Sequence, residues 1–288
     1  MRHLMCLVLA AAAISCSAPA SVGSYLFVWA GDRERKSSDF LGVIDANPAS
    51  PKYGAIVASL PAGESGTFPH HTEQEMPPNN HLLANGFGAG RTWLFDLSEP
   101  AAPKILTSFG AKSGFTNPHS YVRLANGEVL ATFQYGEGRP VSAGHDHDST
   151  GASTDKVTAT EPLTPAPLTG GLVWMTERGD VIRSASARDA INEFLYPYHV
   201  LPLPAIDRAL STTTDMNDGN KPATSEWVQL RLLPDGKSVY VHTFSCGLYL
   251  IRDLDKAEPR TTFVKSFTGD NCGVPVLTGS FWLQPVSE

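Results

Sequence analysis

Cysteine is scarce in this chain. Outside the first twenty residues only Cys246 and Cys272 occur, with no further thiol at zinc-ligand spacing, so a cysteine zinc site is excluded. Basic runs are absent as well, and the formal net charge is −7, so the electrostatic footprint of a nucleic-acid binder is missing. No apolar stretch is long enough to cross a bilayer as a helix. Helical patterning is also thin, since "SARDAINEF" (186–194) is the one stretch that reads as a helical turn or two. The chemistry-bearing motifs of several large enzyme classes are missing: there is no Gly-x-Ser-x-Gly, no glycine loop ending in Lys-Ser/Thr and no His-Glu-x-x-His. "NGFGAG" (85–90) has a Gly-x-Gly-x-Gly spacing, but no dinucleotide-binding βαβ unit surrounds it, and it reads as a turn between two strands.

What the chain does have begins with a leader. Arg2 and His3 precede an apolar run from Leu4 to Ile14, and Ala18-Pro19-Ala20 supplies the small residues of a cleavage site. Residues 1–20 therefore read as a secretory signal peptide, and an exported, periplasmic or secreted protein is expected. A second reading makes Cys16 a lipidation site, although Ala13 stands where Leu is usual. Export places Cys246 and Cys272 in an oxidising compartment, where the two are expected to form one disulfide.

Residues 21–288 read as one all-β domain. The chain carries 25 Gly and 22 Pro, spread along its length as punctuation between short strands. It also repeats itself. "HLLANGFGAGRTWLFDLSEPAAPKILTSFG" (81–110) parallels "SVYVHTFSCGLYLIRDLDKAEPRTTFVKSFTG" (238–269): Gly90 matches Gly247, Asp96-Leu97 matches Asp253-Leu254, and Ser108-Phe109 matches Ser266-Phe267. "VRLANGEVLATF" (122–133) similarly echoes "LRLLPDGKSVYVHTF" (230–244). Each is a strand, an Asn-Gly or Asp-Gly turn and a second strand. A four-strand unit recurring at about 40 residues is the signature of a β-propeller blade. The segment at about 136–169, rich in Gly, Ser, Thr and Pro, interrupts this pattern as a flexible insertion.

Histidine is where chemistry concentrates. In "GTFPHHTEQEMP" (66–77), His70 and His71 follow Pro69, and Glu73 and Glu75 come just after. Neighbours on a regular strand face opposite ways, so both imidazoles reach one metal only from a loop or a bulge. Neutral imidazole suits copper, iron or zinc, and Glu73 and Glu75 are candidates for an outer shell that orients the rings. The opposing reading is a solvated polar turn. His119, in "FTNPHSYVRL" (115–124), repeats the Pro-His pair ahead of an apolar strand, so the two motifs occupy comparable blade positions facing a propeller's central channel. His145 and His147 in "GHDHD" lie in the insertion and read as solvated. His199 and His242 are single histidines on strand-like runs and read as structural.

"DFLGVIDANPASPKYGAIVASLPAGESGTFPHHTE" followed by "RTWLFDLSEPAAPKI" and "PHSYVRLANGEVLATF" resembles the selenium-binding protein family, which includes methanethiol oxidases. The likeness runs from Tyr25 to about Phe133 and is weaker from Gly170 onward. It implies a seven-bladed propeller with a copper site of channel histidines, on which His70, His71 and His119 fall. The implied reaction is oxidation of a small thiol: methanethiol, O2 and water give formaldehyde, hydrogen sulfide and hydrogen peroxide. The implied partners are thus a small thiol and O2. There are two departures. The family's cysteine-rich segment is replaced by "TEQEMPPNN", so a selenium–cysteine adduct is excluded at that place. The family also continues past "GSFWLQPVSE" into a further blade with another histidine, which makes the expected propeller incomplete at the C-terminus. The rival expectation from the residues is a propeller that binds a ligand, metal or protein without catalysis.

Overall fold

The structure, a computed structural model, describes residues 22–137, 169–187, 195–215, 227–243, 246–267 and 281–286. Two short 3-10 turns and the helical Ala187 aside, their regular structure is all strand. The first sheet joins β1 (Tyr25–Ala30), β2 (Phe40–Asp45) and β3 (Ile56–Pro61). The second is the antiparallel meander β4 (Pro69–Thr72), β5 (His81–Gly86), β6 (Arg91–Asp96) and β7 (Lys104–Phe109). The third runs β8 (Phe115–Arg123), β9 (Val129–Gly136), β10 (Thr169–Met175) and β11 (Val181–Ser186). A fourth begins with β12 (Leu195–Leu203) and β13 (Arg208–Asp215). The fifth is β14 (Trp227–Leu232), β15 (Val239–Thr243), β16 (Gly247–Arg252) and β17 (Arg260–Ser266). The chain then returns through β18 (Phe281–Pro285), which pairs with β13 and completes the fourth sheet.

These five sheets are blades of a β-propeller, and the strands read from the internal repeat fall on equivalent places. β5–β7 and β15–β17 are strands two to four of their sheets. The apolar core lies between blades rather than inside one. Leu83 and Leu94 of the second sheet pack with Tyr121, Phe133 and Val173 of the third. Leu130 and Trp174 of the third pack with Val200 and Ala209 of the fourth. Leu203 and Leu210 of the fourth pack with Trp227 and Tyr249 of the fifth. A middle blade is covered on both faces, which is why β9 and β10 are buried along their whole length and read as apolar runs. Each fully buried Leu or Val there contributes about 1.5–3 kcal/mol. The fifth sheet keeps one wet face, so β15 alternates buried Val239, Val241 and Thr243 with exposed Tyr240 and His242. The first sheet likewise exposes Leu26, Val28 and Ile56.

The first strands of neighbouring sheets stand side by side: β1 beside β4, β4 beside β8, β8 beside β12, and β12 beside β14. They line the channel, and they position the histidines. The expected signal peptide, the 138–168 part of the insertion with His145 and His147, most of the 186–194 stretch, and Cys272 lie outside the described residues. For the same reason the expected Cys246–Cys272 disulfide has one partner outside them.

Candidate metal centre

The adjacency of His70 and His71 is resolved by a β-bulge inside a channel strand rather than by a loop. Pro69 pairs with Gly86 and Thr72 with Ala84, so β4 spends one residue more than β5 between the two pairs. The extra residue re-aims the side chains of the bulged pair. The same irregularity recurs in the next three channel strands. It lies between Pro118 and Tyr121 in β8, between Pro197 and Val200 in β12, and between Trp227 and Leu230 in β14. The bulged pairs are thus His70/His71, His119/Ser120, Tyr198/His199 and Val228/Gln229. In the first two cases the residue ahead of the proline has positive φ, at 58° for Phe68 and 55° for Asn117. This is a sparsely populated conformation for residues other than glycine, and it turns the strand into the channel.

A bulge frees a backbone N–H that the ladder no longer uses, and one side-chain arrangement repeats to take it up. His71 N donates to Asn85 Oδ1 at 2.6 Å, Ser120 N to Thr132 Oγ1 at 3.0 Å, and His199 N to Thr212 Oγ1 at 3.2 Å. Each acceptor side chain sits on the second strand of its blade and donates onward to the bulge of the next blade. Asn85 Nδ2 reaches the carbonyls of Pro118 (2.7 Å) and His119 (3.2 Å), Thr132 Oγ1 that of Tyr198 (2.9 Å), and Thr212 Oγ1 that of Val228 (2.7 Å).

This frame brings His70, His71 and His119 together, with one ring nitrogen from each inside a span of 4.8 Å. His119 Nδ1 lies 2.8 Å from the Tyr198 carbonyl oxygen. A carbonyl only accepts, so Nδ1 carries the proton and Nε2 presents its lone pair. That lone pair faces His70 Nε2 at 3.0 Å, a separation at which two nitrogens share a proton or a metal. His71 Nε2 is buried and has no hydrogen-bond partner among the described residues, which is costly unless something occupies it. Burial, and then the nearby His199, lowers the His71 pKa to about 4. Burial, and then His71 and His70, holds His119 well below the usual imidazole value. Both are therefore neutral at pH 7, the form that ligates metal. The donor set fits a metal that takes imidazole, such as copper, iron or zinc.

Aromatic rings close the site on one side. Phe68 stacks on His70 at 5.4 Å between centroids, and Phe87 lies 5.6 Å from His70 and 5.4 Å from His119. Tyr198 lies 4.0 Å from His119 and 6.0 Å from His71. The 87–90 turn is pinned by Phe87 N donating to Phe68 O and by Asn117 Nδ2 donating to Phe87 O. "NGFGAG" is therefore the turn its sequence suggested, and it also supplies a wall of the centre.

The glutamates are placed otherwise than as an outer shell. Glu73 is buried, but its carboxylate accepts from Leu83 N (2.8 Å) and pairs with Arg123 Nε (2.8 Å). Arg123 also binds Glu177 (2.8 Å), which in turn bonds His81 Nδ1 (2.8 Å). Glu73 is thus committed to a charge network rather than to the imidazoles. Glu75 is exposed at the wall of a cavity of about 620 Å³. That cavity lies at the far ends of the channel strands, among Met76, Val122, Leu201 and Leu230, with His199 also on its wall. His199 is buried, meets the Gln74 amide at 2.9 Å and accepts from Leu230 N at 3.4 Å; its structural reading agrees with those contacts. His242 sits on the outward face of β15. Asn85, Tyr198 and Phe87 are the site residues that sequence reasoning did not single out.

No family model matches the chain. Among curated proteins it is similar to a methanethiol oxidase of Hyphomicrobium sp., 33% identical over 109 residues, or 35% of this chain and 24% of that protein. It is also similar to selenium-binding protein 2 of Mus musculus, 28% identical over 33% of this chain and 23% of that protein. The match spans about a quarter of the length of these relatives. Among solved structures, a hypothetical selenium-binding protein from Sulfolobus tokodaii aligns with TM-score 0.58 and 13% identity, covering 84% of this chain and 60% of the other. A protein from Lactobacillus plantarum aligns with TM-score 0.54 and 8% identity, covering 86% and 69%. At such identities the structural likeness concerns the fold, and that fold is a propeller. The chain's curated homologues are proteins named methanethiol oxidase and selenium-binding protein, and the family suspected from "FPHHTE" and "NPHSYVRL" fits.

Proposed function

We propose that the protein is an exported, copper-dependent oxidase of a small thiol, with His70, His71 and His119 holding the metal. The observation that carries the reading is the convergence of three imidazoles, one buried with its tautomer fixed and one with a buried nitrogen that has no hydrogen-bond partner among the described residues. The leader in residues 1–20 supports export, and the names of the curated homologues support the thiol. Bound there, copper would supply a redox-active Lewis acid that favours the thiolate over the thiol. The chain's own part is positional. The bulges aim the rings, the Tyr198 carbonyl keeps the His119 proton on Nδ1, and Phe68, Phe87 and Tyr198 keep water away from one side of the centre. The overall change balances in equal amounts: methanethiol, O2 and water are consumed, and formaldehyde, hydrogen sulfide and hydrogen peroxide are formed.

The test is metal analysis of the purified full chain expressed with copper, together with sulfide and peroxide release from methanethiol. Stoichiometric copper that is lost in a His70→Ala, His71→Ala double variant, with turnover lost in parallel, supports the proposal. A folded, metal-free protein from copper-replete cells sinks it. One observation favours a second reading: the cavity of about 620 Å³ far exceeds a one-carbon thiol and matches sites for larger ligands. A propeller that binds such a ligand without turnover would show the binding and neither product.

A further inference from the structure

We propose that Asn85 is the positioning residue of the histidine centre, fixing the distance between its two halves. The inference rests on the metal reading above. His70 and His71 belong to one blade and His119 to the next, so no backbone ladder bond sets their separation. Asn85 spans that gap. Its side chain is fully buried, its Oδ1 accepts the N–H of His71 at 2.6 Å, and its Nδ2 donates to the carbonyls of Pro118 and His119 at 2.7 and 3.2 Å. One planar amide therefore ties the backbone of a ligand on β4 to the backbone of a ligand on β8. Its own carbonyl accepts the Trp29 indole N–H at 2.7 Å, which anchors the clamp to the first blade.

The comparison within the molecule gives the argument its force. Thr132 and Thr212 do the same service for the two following bulges, each with a single hydroxyl that accepts from one backbone and donates one proton to the next. Among these three gaps, only the one with members of the His70, His71 and His119 cluster on both sides has a relay residue that is an amide with two protons. The Thr132 gap has His119 on one side and His199, outside the cluster, on the other. A hydroxyl hinge lets the two bulges rock about one bond, whereas a two-proton fork holds direction as well as distance. Partners behind metal ligands act this way on affinity, and losing one costs about 10–100-fold.

The test compares Asn85→Thr, which installs the residue the neighbouring blades use, with Asn85→Asp, which keeps the acceptor and removes both donors. Thr212→Val is the control, because it breaks the same relay between blades four and five, away from the three histidines. Two readouts are taken on the full chain, after thermal unfolding confirms that each variant folds. Metal-free protein is examined by imidazole NMR of His71 and His119. Copper(II) affinity and the copper EPR spectrum are then measured. Asn85→Thr is expected to move both histidine signals, weaken copper by about 10–100-fold and broaden the EPR spectrum. Thr212→Val is expected to lower the melting temperature and leave all three unchanged. Unmoved histidine signals in a folded Asn85→Thr variant, or equal copper loss in Thr212→Val, would overturn the role of Asn85. Wild-type protein that takes no copper would sink the metal reading alone, since the NMR comparison is read without metal.

Discussion

The Nδ1 proton of His119 is held by the backbone carbonyl of Tyr198, 2.8 Å away in the next blade. A ring on the third sheet is thus oriented by the fourth, and the carbonyl that orients it also accepts from Thr132 Oγ1. The centre is therefore a property of packed blades rather than of one hairpin, and whatever loosens the contact between blades three and four should reach the imidazoles.

Thr132 tests that coupling. Replacing Thr132 with Val keeps the volume while stranding the buried Ser120 N–H, which has Thr132 Oγ1 as its acceptor. An unsatisfied buried donor costs about 1–3 kcal/mol. Thr132→Val should lower stability by that amount in urea unfolding with an unchanged m-value. A loss below about 0.5 kcal/mol would mean that water or a shifted backbone satisfies the bulge.

The Glu73–Arg123 pair is a second test, and it separates stability from the metal. Glu73 keeps 4% of its side chain exposed and Arg123 20%. Removing one partner of such a pair strands the other charge, at about 3–5 kcal/mol. Arg123→Met should destabilise by that order, and adding Glu73→Gln should recover much of it. Copper binding should survive in the double variant, because Glu73 points into the Arg123 network. Loss of copper there would return Glu73 to the imidazoles.

Much of this was legible in the chain and some was not, for physical reasons. The strands and turns of the blade announce themselves through alternation and Asn-Gly or Asp-Gly pairs, as in "VRLANGEVLATF" and "LRLLPDGKSVYVHTF". The convergence of His119 with His70 and His71 followed from matching Pro-His pairs on a repeat. Glu73 misled because nearness in sequence favoured the histidines, whereas its partner Arg123 lies fifty residues on. Asn85 was hidden by its setting, since an Asn-Gly ahead of a glycine-rich turn already has a local explanation. The recurrence of the bulge in four strands could have been suspected from Pro69, Pro118 and Pro197 alone, each just ahead of a His or Tyr pair, but Trp227 in the fourth carries no such mark.

Acid should weaken the fold through His199. Burial, followed by the charge of nearby His242, lowers its pKa from 6.5 to about 4. The unfolded chain therefore takes up a proton that the folded chain refuses between about pH 6.5 and 4. Stability is full above the unfolded value and falls as pH drops through that window, by about 3 kcal/mol for this group. A His199→Gln variant should flatten that part of a stability–pH curve measured on metal-free protein, because the replacement does not titrate. A slope that persists unchanged in the variant would assign the acid sensitivity to other groups.

Gly86 sets how close the second blade may approach the bulge. It pairs with Pro69, and a Cβ built there would stand 2.7 Å from Thr67 Cβ and 2.8 Å from Trp93 Cζ3. Thr67 cannot swing away, because its backbone N and its hydroxyl are both held by the buried Asp39 carboxylate at 2.6 Å. Trp93 is packed against Trp29. The clash must be relieved by moving β4, and β4 carries His70 and His71. Gly86→Ala should therefore cost about 1–3 kcal/mol and weaken copper binding as well. Gly42→Ala, where the nearest atom is 3.6 Å from the built Cβ, should do neither. If Gly86→Ala lost stability while keeping wild-type copper affinity, the bulge would be anchored from the channel side, through Asn85 and the neighbouring blade, rather than from the β5 side.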